Sequence, residues 1–365
     1  MRTIVSIISE QTIPNYLFIK EMFQPGDQLM FISSKKMCDR IAWIENALGW
    51  SLLNPQHVIL RKDGDEEDWT SMTSQIEKTL SDEDEYVVNL TGGTKYMALA
   101  VQSVFSRHKS QFFYIPYPQN QILSAESGSR PVTYRVSIDE YTRLYNQPLK
   151  SAHEPIMPKE YTDHLFKAFI KGWGRGTWET IDKLREYRNF KKSLPISTIE
   201  SADDGKQPRV VGLKAFLDQI LFEHDGTLNG RQAQYLTGGW FEEFVYHRIK
   251  KLLQPQDIML GPKTSSTNND LDVVFTLGNK LYVIECKTGV EGGRMLNEIV
   301  YKASALKENL LGLSARSFIF SLGQDNEMWS QAAKNMGITY YGRSAFVDDN
   351  LFQGILDAIK KASFD

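Results

Sequence analysis

The sequence predicts an α/β protein whose N-terminal part forms a doubly wound, mostly parallel sheet. Two observations lead to this prediction: short runs rich in β-branched and aromatic residues alternate with stretches of helical spacing, and these runs are largely apolar. Apolar strands separated by helices are typical of parallel sheets that helices cover on both faces. The predicted strands are TIVSIIS (3–9), QLMFISS (28–34), HVIL (57–60), YVVNLT (86–91) and FFYIPY (112–117).

Length and composition indicate a globular protein of two domains. The chain has 365 residues, of which 41% are hydrophobic and 24% are charged, so it can bury a large core. No apolar run approaches the roughly 18 residues that span a bilayer, and the start MRTIVSIISE lacks the longer apolar region of a secretory signal. We therefore expect a cytoplasmic protein with no membrane partner.

Charge and cysteine content argue against two features: attraction of nucleic acid by the whole surface, and stabilisation by disulfides or zinc. The formal net charge of -3 gives no global attraction to nucleic acid, so a polyanionic partner would have to bind a local basic patch. Cys38 and Cys286 lie far apart in the sequence, and the six histidines show no paired spacing. We expect buried free thiols rather than a disulfide framework or a zinc site.

A glycine-rich turn, NLTGGTK, follows the fourth predicted strand and leads into a helix. Gly92 and Gly93 would let the backbone approach an anion, while Thr91, Thr94 and Lys95 supply hydroxyl donors and positive charge at a helix N-terminus. The segment matches neither a Walker loop nor a dinucleotide fingerprint. It is either a phosphate-binding turn or a tight strand-to-helix turn with a threonine cap.

Two further polar loops are predicted at the same edge of the sheet. SEQTIPN follows the first strand, and Pro14 in it suits the start of a helix. SSKKM follows the second strand, but Lys35 and Lys36 are equally typical of a solvated helix start. Because ligands of such sheets bind beyond the carboxyl ends of the strands, the polar loops favour a binding site there.

With ISEQTIPN after its first strand and NLTGGTKYMALA after its fourth, the N-terminal region resembles a CARF domain, the sensor of cyclic oligoadenylates in type III CRISPR defence. The resemblance covers about the first 140 residues. It implies a homodimer that binds one cyclic ligand across its two-fold axis, and we expect cyclic tetra-adenylate because its symmetry suits such a site. The ligand contacts that the resemblance implies are Gln11, Thr12, Thr91, Gly92, Gly93, Thr94 and Lys95.

The βα alternation ends after residue 118. NQILSAES and VTYRVSID are predicted as a short strand pair, and Pro148, Pro155 and Pro158 then interrupt regular structure. We predict a sensor domain with connecting strands at 1–150, followed by a helical connector and a second domain at 151–365.

The connector carries a basic, aromatic segment at 165–192. Cations could contact the phosphates of a single strand while aromatic rings stack on its bases. The alternative, which we favour for any single residue, is an amphipathic helix with a solvated basic face and aromatic residues in the core. The segment contains Lys167, Lys171, Arg175, Arg185, Arg188, Lys191, Lys192, Phe169, Trp173, Trp178, Tyr187 and Phe190.

Near the C-terminus, charged residues stand where a buried strand should continue in apolar ones. DLDVVFTLGNKLYVIECKTG is predicted as two strands joined near residues 278–279. The two-residue alternation puts Glu285 and Lys287 on one face of the second strand, and Asp272 projects from the first. Two carboxylates could hold Mg²⁺ or Mn²⁺, which activates water for attack on a phosphodiester, and the lysine could orient that water. The alternative is a structural ion pair.

A helix is predicted upstream, in GGWFEEFVYHRIKKLL (238–253), where either Glu242 or Glu243 could turn toward the strands. A helix glutamate followed by Asp272 and by Glu-x-Lys resembles the PD-(D/E)xK nuclease superfamily, with a leucine where the name has proline. The resemblance covers roughly 212–345. Matching its glycine-aromatic-glutamate pattern selects Glu242.

The second resemblance implies a metal-dependent nuclease fold similar to restriction endonucleases. Its implied catalytic residues are Glu242, Asp272, Glu285 and Lys287, with Asp272 and Glu285 as metal ligands. Tyr301 and Lys302, further along the chain, could reach the site, but helix packing explains them equally well.

The two resemblances together imply a cyclic oligoadenylate-activated, Mg²⁺- or Mn²⁺-dependent endonuclease that cleaves single-stranded DNA, RNA or both in antiviral defence. Two alternatives are a ligand-responsive nucleic-acid-binding regulator with an inactive nuclease domain, and a sensor that cleaves its own cyclic ligand. The fold by itself does not decide among DNA and RNA substrates.

Overall fold

The structure, a computed structural model, describes residues 1–49, 55–61, 64–150, 152–172, 175–202, 209–264, 270–288, 316–323 and 325–364. Within these ranges, side chains are described everywhere except at residues 169–172, 175–179, 349 and 364.

The N-terminal part is a seven-stranded sheet with an apolar cluster on each face. Its elements are β1 (Arg2–Ile7), α1 (Ile13–Met22), β2 (Gln28–Ser33), α2 (Asp39–Leu48), β3 (Gln56–Ile59), α3 (Trp69–Glu77), β4 (Glu85–Asn89), α4 (Lys95–Phe105), β5 (Lys109–Tyr114), β6 (Gln121–Ser124), β7 (Gly128–Pro131) and α5 (Ile138–Arg143). The strand order is β3-β2-β1-β4-β5-β6-β7, and β1 to β5 run parallel. The predicted α/β class and Rossmann-like arrangement are confirmed.

The strand order creates one switch point, between β1 and β4. The chain runs outward from β1 through β2 to β3 and then returns to pair β4 with the other side of β1. The loops that follow β1 and β4 therefore leave neighbouring strands at the same edge of the sheet. Two buried amides link their bases, because Asn89 Nδ2 donates to Asn15 Oδ1 at 2.9 Å. Ligands of open α/β sheets bind at such a point.

One predicted strand is wrong. The partner of β6 is β7, and the segment VTYRVSID that follows it is irregular until α5 begins. The reason is that side chains bind the backbone of this segment. Glu21 accepts from Thr133 N and Tyr134 N, both at 2.6 Å, and Asn279 Oδ1 accepts from Val136 N at 2.9 Å. These hydrogen bonds replace those of a strand ladder.

The C-terminal part is built around a five-stranded mixed sheet of order β11-β13-β14-β15-β16. The elements are β8 (Leu149–Lys150), α6 (Lys159–Gly172), α7 (Arg175–Leu184), β9 (Leu194–Pro195), α8 (Ile196–Ser201), α9 (Leu213–Gln219), β10 (Thr227–Leu228), α10 (Gly230–Gln234), α11 (Trp240–Leu252), β11 (Asp257–Leu260), β12 (Lys263–Thr264), β13 (Val273–Leu277), β14 (Lys280–Lys287), β15 (Arg316–Ser321), α12 (Glu327–Asn335), β16 (Ile338–Tyr341) and α13 (Asp349–Phe364). The 3₁₀ turns are Lys35–Met37, Asp65–Glu67, Arg185–Tyr187 and Arg343–Phe346, and a π-helical turn spans Tyr235–Gly239.

The predicted hairpin is confirmed as β13 and β14, which pair antiparallel. Alternate residues of these strands enter different apolar clusters, as the two-residue period requires. Val273, Phe275 and Ile284 pack with the helices of the C-terminal part. Val274 and Val283 pack on the other face, against the cluster that contains α1, α2 and α5. The C-terminal sheet is therefore buried on one face by the N-terminal part.

The turn between β13 and β14 is also fixed by the N-terminal part. Gly278 and Asn279 have φ of 59° and 60°, which suits a two-residue hairpin turn. Asn279 is fully buried. Its Nδ2 donates to Asn120 Oδ1 at 2.7 Å and to the Tyr134 carbonyl at 3.1 Å, while its Oδ1 accepts from Val136 N.

The backbone of the same turn makes two more hydrogen bonds to the loop after β5. The Tyr117 hydroxyl donates to the Asn279 carbonyl at 2.8 Å, and Asn120 Nδ2 donates to the Gly278 carbonyl at 2.8 Å. Five hydrogen bonds thus connect the two parts of the chain at one turn.

Replacing Asn279 by alanine should destabilise the protein by about 3 to 5 kcal/mol. Buried partners left without a hydrogen bond cost about 1 to 3 kcal/mol each, and alanine in the left-handed conformation adds about 1 kcal/mol. Asn279→Gly should lose about 1 kcal/mol less, because glycine accepts that conformation. Urea unfolding at equilibrium measures both values.

The matched control is Asn146→Ala, since Asn146 also has positive φ (55°) but is exposed. It should lose only about 1 kcal/mol. If Asn279→Ala were as mild as Asn146→Ala, the turn would not be the connection described above.

Candidate functional site

Three charged side chains meet where β13 begins and β14 ends. Lys287 Nζ lies 2.7 Å from Glu285 Oε1 and 3.6 Å from Asp272 Oδ2. Asp272 Oδ2 also accepts from the Cys286 backbone N–H at 2.6 Å. The structure therefore brings together Asp272, Glu285 and Lys287, the three residues that the sequence pattern predicted. We call these three residues the acid–lysine cluster.

The two neighbouring glutamates of α11 have different surroundings. Glu243 is buried, and its carboxylate accepts hydrogen bonds from the backbone N–H groups of Ile156 and Met157. Glu242 is affected instead by the charges of Lys287 and Glu285. Glu242 is thus the glutamate that faces the acid–lysine cluster, whereas Glu243 fixes the chain before α6.

A π-helical turn precedes Glu242 and connects α11 to the end of β14. The Thr237 carbonyl, inside this turn, accepts from Thr288 Oγ1 at 2.7 Å. Thr288 directly follows Lys287 in the chain. π-turns of this kind occur frequently at functional sites, and here the turn fixes the helix to the strand beside the acid–lysine cluster.

Burial and crowding shift the protonation of the cluster. Burial raises the pKa of Asp272 well above its usual range, Glu285 raises it further, and Lys287 opposes the rise. Burial likewise raises the pKa of Glu242, against the effect of Lys287 and Arg188. For Lys287, burial lowers the pKa, but Asp272 and Glu285 outweigh it, so its pKa is raised and its charge persists.

The donor set of this cluster fits a hard divalent cation. Three carboxyl groups share one lysine, so a further positive charge would relieve their repulsion. Mg²⁺ is bound through one or two carboxylates, with water and phosphate oxygens completing its shell. Among the described residues, no group of three or more His, Cys, Asp and Glu side chains has metal-ligating geometry. Asp272 and Glu285 could each supply a carboxylate ligand to such an ion.

A cavity of about 1060 Å³ opens beside the cluster. Glu242 and Asp272 line one part of it. Four basic residues also line it, Arg185, Arg188, Arg231 and Lys263, which we call the basic wall, together with the acidic Glu243 and Asp270 and several neutral residues. The basic residues suit an anionic substrate, because they attract it into the cavity. There it would lie next to the carboxylates.

The basic, aromatic segment contributes to this wall in part. Arg185 and Arg188 line the cavity. Tyr187 is buried and stacks with Phe190 at a centroid distance of 5.0 Å, as expected for packing. Trp173 and the side chains of Phe169, Lys171, Arg175 and Trp178 lie outside the described residues, as do Tyr301 and Lys302.

In the N-terminal part, both glycines of the turn after β4 are required by the backbone. A Cβ at Gly92 would lie 1.8 Å from the Ile7 carbonyl oxygen, so only glycine permits this approach of the turn to β1. Gly93 has φ of 73°, in the region that favours glycine. Thr94 caps α4 by accepting from Met97 N at 3.1 Å, and its exposed neighbour Lys95 begins the helix.

Two of the predicted contact residues use their hydroxyl groups inside the protein. Thr12 is fully buried and donates to the Leu144 carbonyl at 2.7 Å. Thr91 Oγ1 donates to Asn89 Oδ1 at 2.6 Å and accepts from Ile115 N at 2.7 Å. Gly93, Thr94 and Lys95 are exposed, and Gln11 is partly exposed.

The sequence reasoning missed Asn15, Asn89, Thr237 and Thr288. Asn15 and Asn89 are buried amides that link the loops after β1 and β4 by a hydrogen bond. Asn89 is the last residue of β4 and Asn15 lies in the first turn of α1, so the only sequence signal was a polar residue in or beside each of the two polar loops. Thr237 and Thr288 adjoin the recognised motifs, directly before GG and directly after Lys287.

The cysteines and helices add three observations. Cys286 is a buried free thiol, as expected, whereas the free thiol of Cys38 is partly exposed. Burial raises the pKa of Cys286 well above its usual range. No helix in the described part of the chain has the length and hydropathy of a membrane span.

Two family models match separate parts of the chain. Residues 3–141 match the family described as the Card1 CARF domain, and residues 230–351 match the Card1-like endonuclease domain. No curated protein sequence matches the chain.

Solved structures share the fold over nearly the whole length. Protein VC1899 from Vibrio cholerae has 17% identity and a TM-score of 0.76, over 99% of this chain and 98% of that chain. Can2 from Sulfobacillus thermosulfidooxidans, in complex with cyclic tetra-adenylate, has 20% identity and a TM-score of 0.72, over 97% and 98%. A type III CRISPR defence DNA nuclease activated by cyclic oligoadenylate has 17% identity and a TM-score of 0.57, over 88% and 46%.

Replacing Lys287 by methionine should destabilise the metal-free protein by about 3 to 5 kcal/mol at neutral pH, because a buried ion pair loses one partner. The folded-state pKa of Asp272 should rise further. A carboxyl whose pKa is raised on folding favours the fold at low pH and loses that contribution as pH increases through the folded pKa. The deficit should therefore be larger at pH 8 than at pH 5.

Urea unfolding in EDTA across this pH range measures the deficit. Lys251→Met, which removes an exposed lysine from the end of α11, is the control. A deficit that did not grow with pH would contradict the description of Lys287 as the counter-charge of Asp272.

Proposed function

The chain joins a Card1-type CARF domain to a Card1-like endonuclease domain, and from this premise we propose that it is a cytoplasmic, divalent-metal-dependent nuclease that a cyclic oligoadenylate activates in type III CRISPR defence. The observation that carries the proposal is the meeting of Asp272, Glu285 and Lys287 beside a cavity with a basic wall. The printed descriptions of Can2 and of the DNA nuclease support the activator.

The carboxylates and the lysine have separate roles in this proposal. Asp272 and Glu285 hold Mg²⁺ or Mn²⁺, and Glu242 adds a third carboxyl group at the same cavity. A bound divalent cation polarises the phosphodiester and lowers the pKa of the attacking water. Lys287 keeps its positive charge next to both acids, so it orients that water and stabilises charge developing on the phosphate.

The substrate is a single strand of DNA or RNA. A cavity of about 1060 Å³ has the size of a site for one drug-sized molecule, so it accepts a few nucleotides of one strand. The arginines on its wall suit phosphate groups. Recognition through phosphates carries no sequence information, so we expect cleavage with little sequence preference.

The activator binds at the switch point between β1 and β4. Gln11, Gly93, Thr94 and Lys95 are the predicted contacts with exposed surface there. Thr12, Thr91 and Gly92 then contribute by holding the two loops rather than through their own side-chain surfaces.

The surface beside this turn supports a homodimer. Tyr96 and Leu99 of α4 are 42% and 56% exposed, and Trp69 packs edge-on against Tyr96 at 5.4 Å. Contiguous apolar residues on a surface mark an interaction site. A second copy bound across a two-fold axis would cover these residues and bring two TGGTK turns to one ring, and cyclic tetra-adenylate has the matching symmetry.

A chain of contacts links the activator site to the catalytic strand. Thr91 Oγ1 accepts from Ile115 N, and two residues later the Tyr117 hydroxyl binds the Asn279 carbonyl. Asn279 directly precedes β14, which carries Glu285 and Lys287. A shift of the turn after β4 would thus reach the acid–lysine cluster through the backbone.

Glu285→Gln should reduce cleavage by at least about 10²-fold while leaving folding and ligand affinity intact, the scale of losing one key electrostatic group. Removing the metal with EDTA should have the same effect. Gel-based cleavage of labelled single strands in the presence of cyclic tetra-adenylate and Mn²⁺ measures the rate. Glu327→Gln, at an exposed position of α12, is the control. Near wild-type cutting by Glu285→Gln, or cleavage of the ring instead of the strand, would refute the assignment.

Thr94→Ala combined with Lys95→Ala should abolish activation at moderate ligand concentration. A switch from nearly off to nearly on needs about 5.5 kcal/mol of differential affinity, and charge-assisted hydrogen bonds supply about 1.5 to 3 kcal/mol each. Excess ligand should partly restore cutting, because the catalytic groups remain. A ligand titration of the nuclease rate measures the shift.

The control for this pair is Ser74→Ala with Lys78→Ala, which removes an exposed hydroxyl and an exposed lysine from α3 and its C-cap. A wild type that is active without ligand, or superimposable titration curves for wild type and the Thr94 and Lys95 variant, would contradict activation through this turn.

A further inference from the structure

Arg188 is held in a fixed position on the wall of the cavity. Its Nε donates to Thr237 Oγ1 at 2.6 Å, and its Nη2 donates to the Thr237 carbonyl at 2.9 Å. Thr237 is fully buried in the π-helical turn. The guanidinium also lies against Gly238, where a Cβ would be 3.4 Å from Arg188 Nη2.

The backbone that carries Arg188 is equally constrained. A Cβ at Gly230 would lie 2.7 Å from the Arg188 carbonyl oxygen and 2.5 Å from that of Phe190, so the loop presses against the start of α10. Gln234 Nε2 donates to the Arg188 carbonyl at 3.3 Å. Side chain and backbone are therefore both preorganised, which reduces the entropy lost on binding a ligand.

The position of Arg188 is tied to the acid–lysine cluster. Thr288, next to Lys287, donates to the same Thr237 carbonyl that Arg188 binds. Arg185 Nη2 lies 3.4 Å from Thr288 Oγ1. The charge of Arg188 also acts on Glu242, whose pKa it helps to lower against burial. Both arginines thus stand beside the carboxylates rather than elsewhere on the surface.

A substrate strand needs positive charge at this place. Asp272, Glu285 and Glu242 repel phosphates, and Lys287 lies between two of these acids. Within the same basic wall, Lys263 is engaged with Asp270 at 3.1 Å. The two hydrogen bonds from Arg188 to Thr237 end on neutral oxygens and fix the guanidinium on the cavity wall.

From these contacts we infer that Arg188, with Arg185 beside it, binds the phosphodiester backbone of the substrate strand next to the cleaved bond. The planar fork of a guanidinium matches the oxygens of a phosphate. Arg188 acts by contact with substrate, and Thr237 and Thr288 act as positioning residues for it. The inference rests on the proposed nuclease function and identifies the part of the ligand that this wall recognises.

The test measures binding separately from cutting. In the Glu285→Gln background, anisotropy of fluorescent oligothymidylate and oligouridylate is followed against salt concentration. Arg188→Ala should weaken binding about 10- to 100-fold and should reduce the slope of log K against log salt by about 0.7 for each lost phosphate contact. Arg188→Lys should keep the slope but recover only part of the affinity, because lysine lacks the fork.

Arg185→Ala should reduce the slope as well, and Arg107→Ala, which removes an exposed arginine of the N-terminal part, should leave both quantities unchanged. With Glu285 intact, Arg188→Ala should raise KM more than it lowers kcat.

The outcomes separate this inference from the proposed function. If Arg188→Ala lowers the unfolding midpoint while affinity and salt slope stay at wild-type values, Arg188 is a structural residue and the inference is wrong, although the nuclease assignment stands. If wild-type protein cuts no strand with any ligand and metal, but Arg188→Ala still loses affinity and slope, the proposed function fails and the binding site remains. Should Arg188→Ala not fold, Arg188→Lys and Arg185→Ala decide by the same slopes.

Discussion

The C-terminal sheet is buried on both faces, and the rest of the molecule depends on this constraint. Its own helices cover one face, and the N-terminal part covers the other through Val274 and Val283. β14 therefore has no solvent-facing side on which charges would be inexpensive. Polar groups on such a strand must find partners inside the protein. The Asn279 turn finds them in the N-terminal part at one end, and Glu285 finds Lys287 at the other.

The same burial gives the acid–lysine cluster its chemistry. Burial raises the pKa values of Asp272 and Glu242, and repulsion from the neighbouring carboxyl groups raises them further, against the effect of Lys287. An arrangement that only stabilised the fold would pair its charges evenly. The excess of negative charge instead favours binding of a metal cation. The positive charge that this cation adds then favours binding of an anionic substrate. The neutral Thr237 then orients Arg188 at the same cavity.

Local pattern predicted those features that depend on neighbouring residues alone. The two-residue period was sufficient to put Glu285 and Lys287 on one face. Glycine residues were sufficient to predict the turn after β4 and the hairpin turn at 278–279. Contacts across long sequence separations were not predictable. In the sequence Asn279 is an ordinary hairpin residue, and only the structure shows that its side chain binds Val136 and Asn120. The segment before α5 has strand-like alternation, yet side chains bind its backbone. Arg188 is fixed at the cavity by hydrogen bonds to Thr237 in a π-helical turn. The helical period of 3.6 residues in a sequence does not predict where such a turn occurs.

β14 is suited to carry a displacement from one end of the sheet to the other. It pairs with β13 on one side and β15 on the other, so most of its backbone groups are engaged. Glu285 lies five residues beyond Lys280, about 17 Å along the strand. A strand paired on both sides does not bend or lengthen at small cost, because each change breaks ladder hydrogen bonds. A movement of the Asn279 turn would therefore shift Glu285 and Lys287 relative to Glu242, which belongs to α11, and Arg188, which follows the 3₁₀ turn Arg185–Tyr187. The proposed activation through this strand would require no unfolding, only a second stable arrangement of the sheet against those elements.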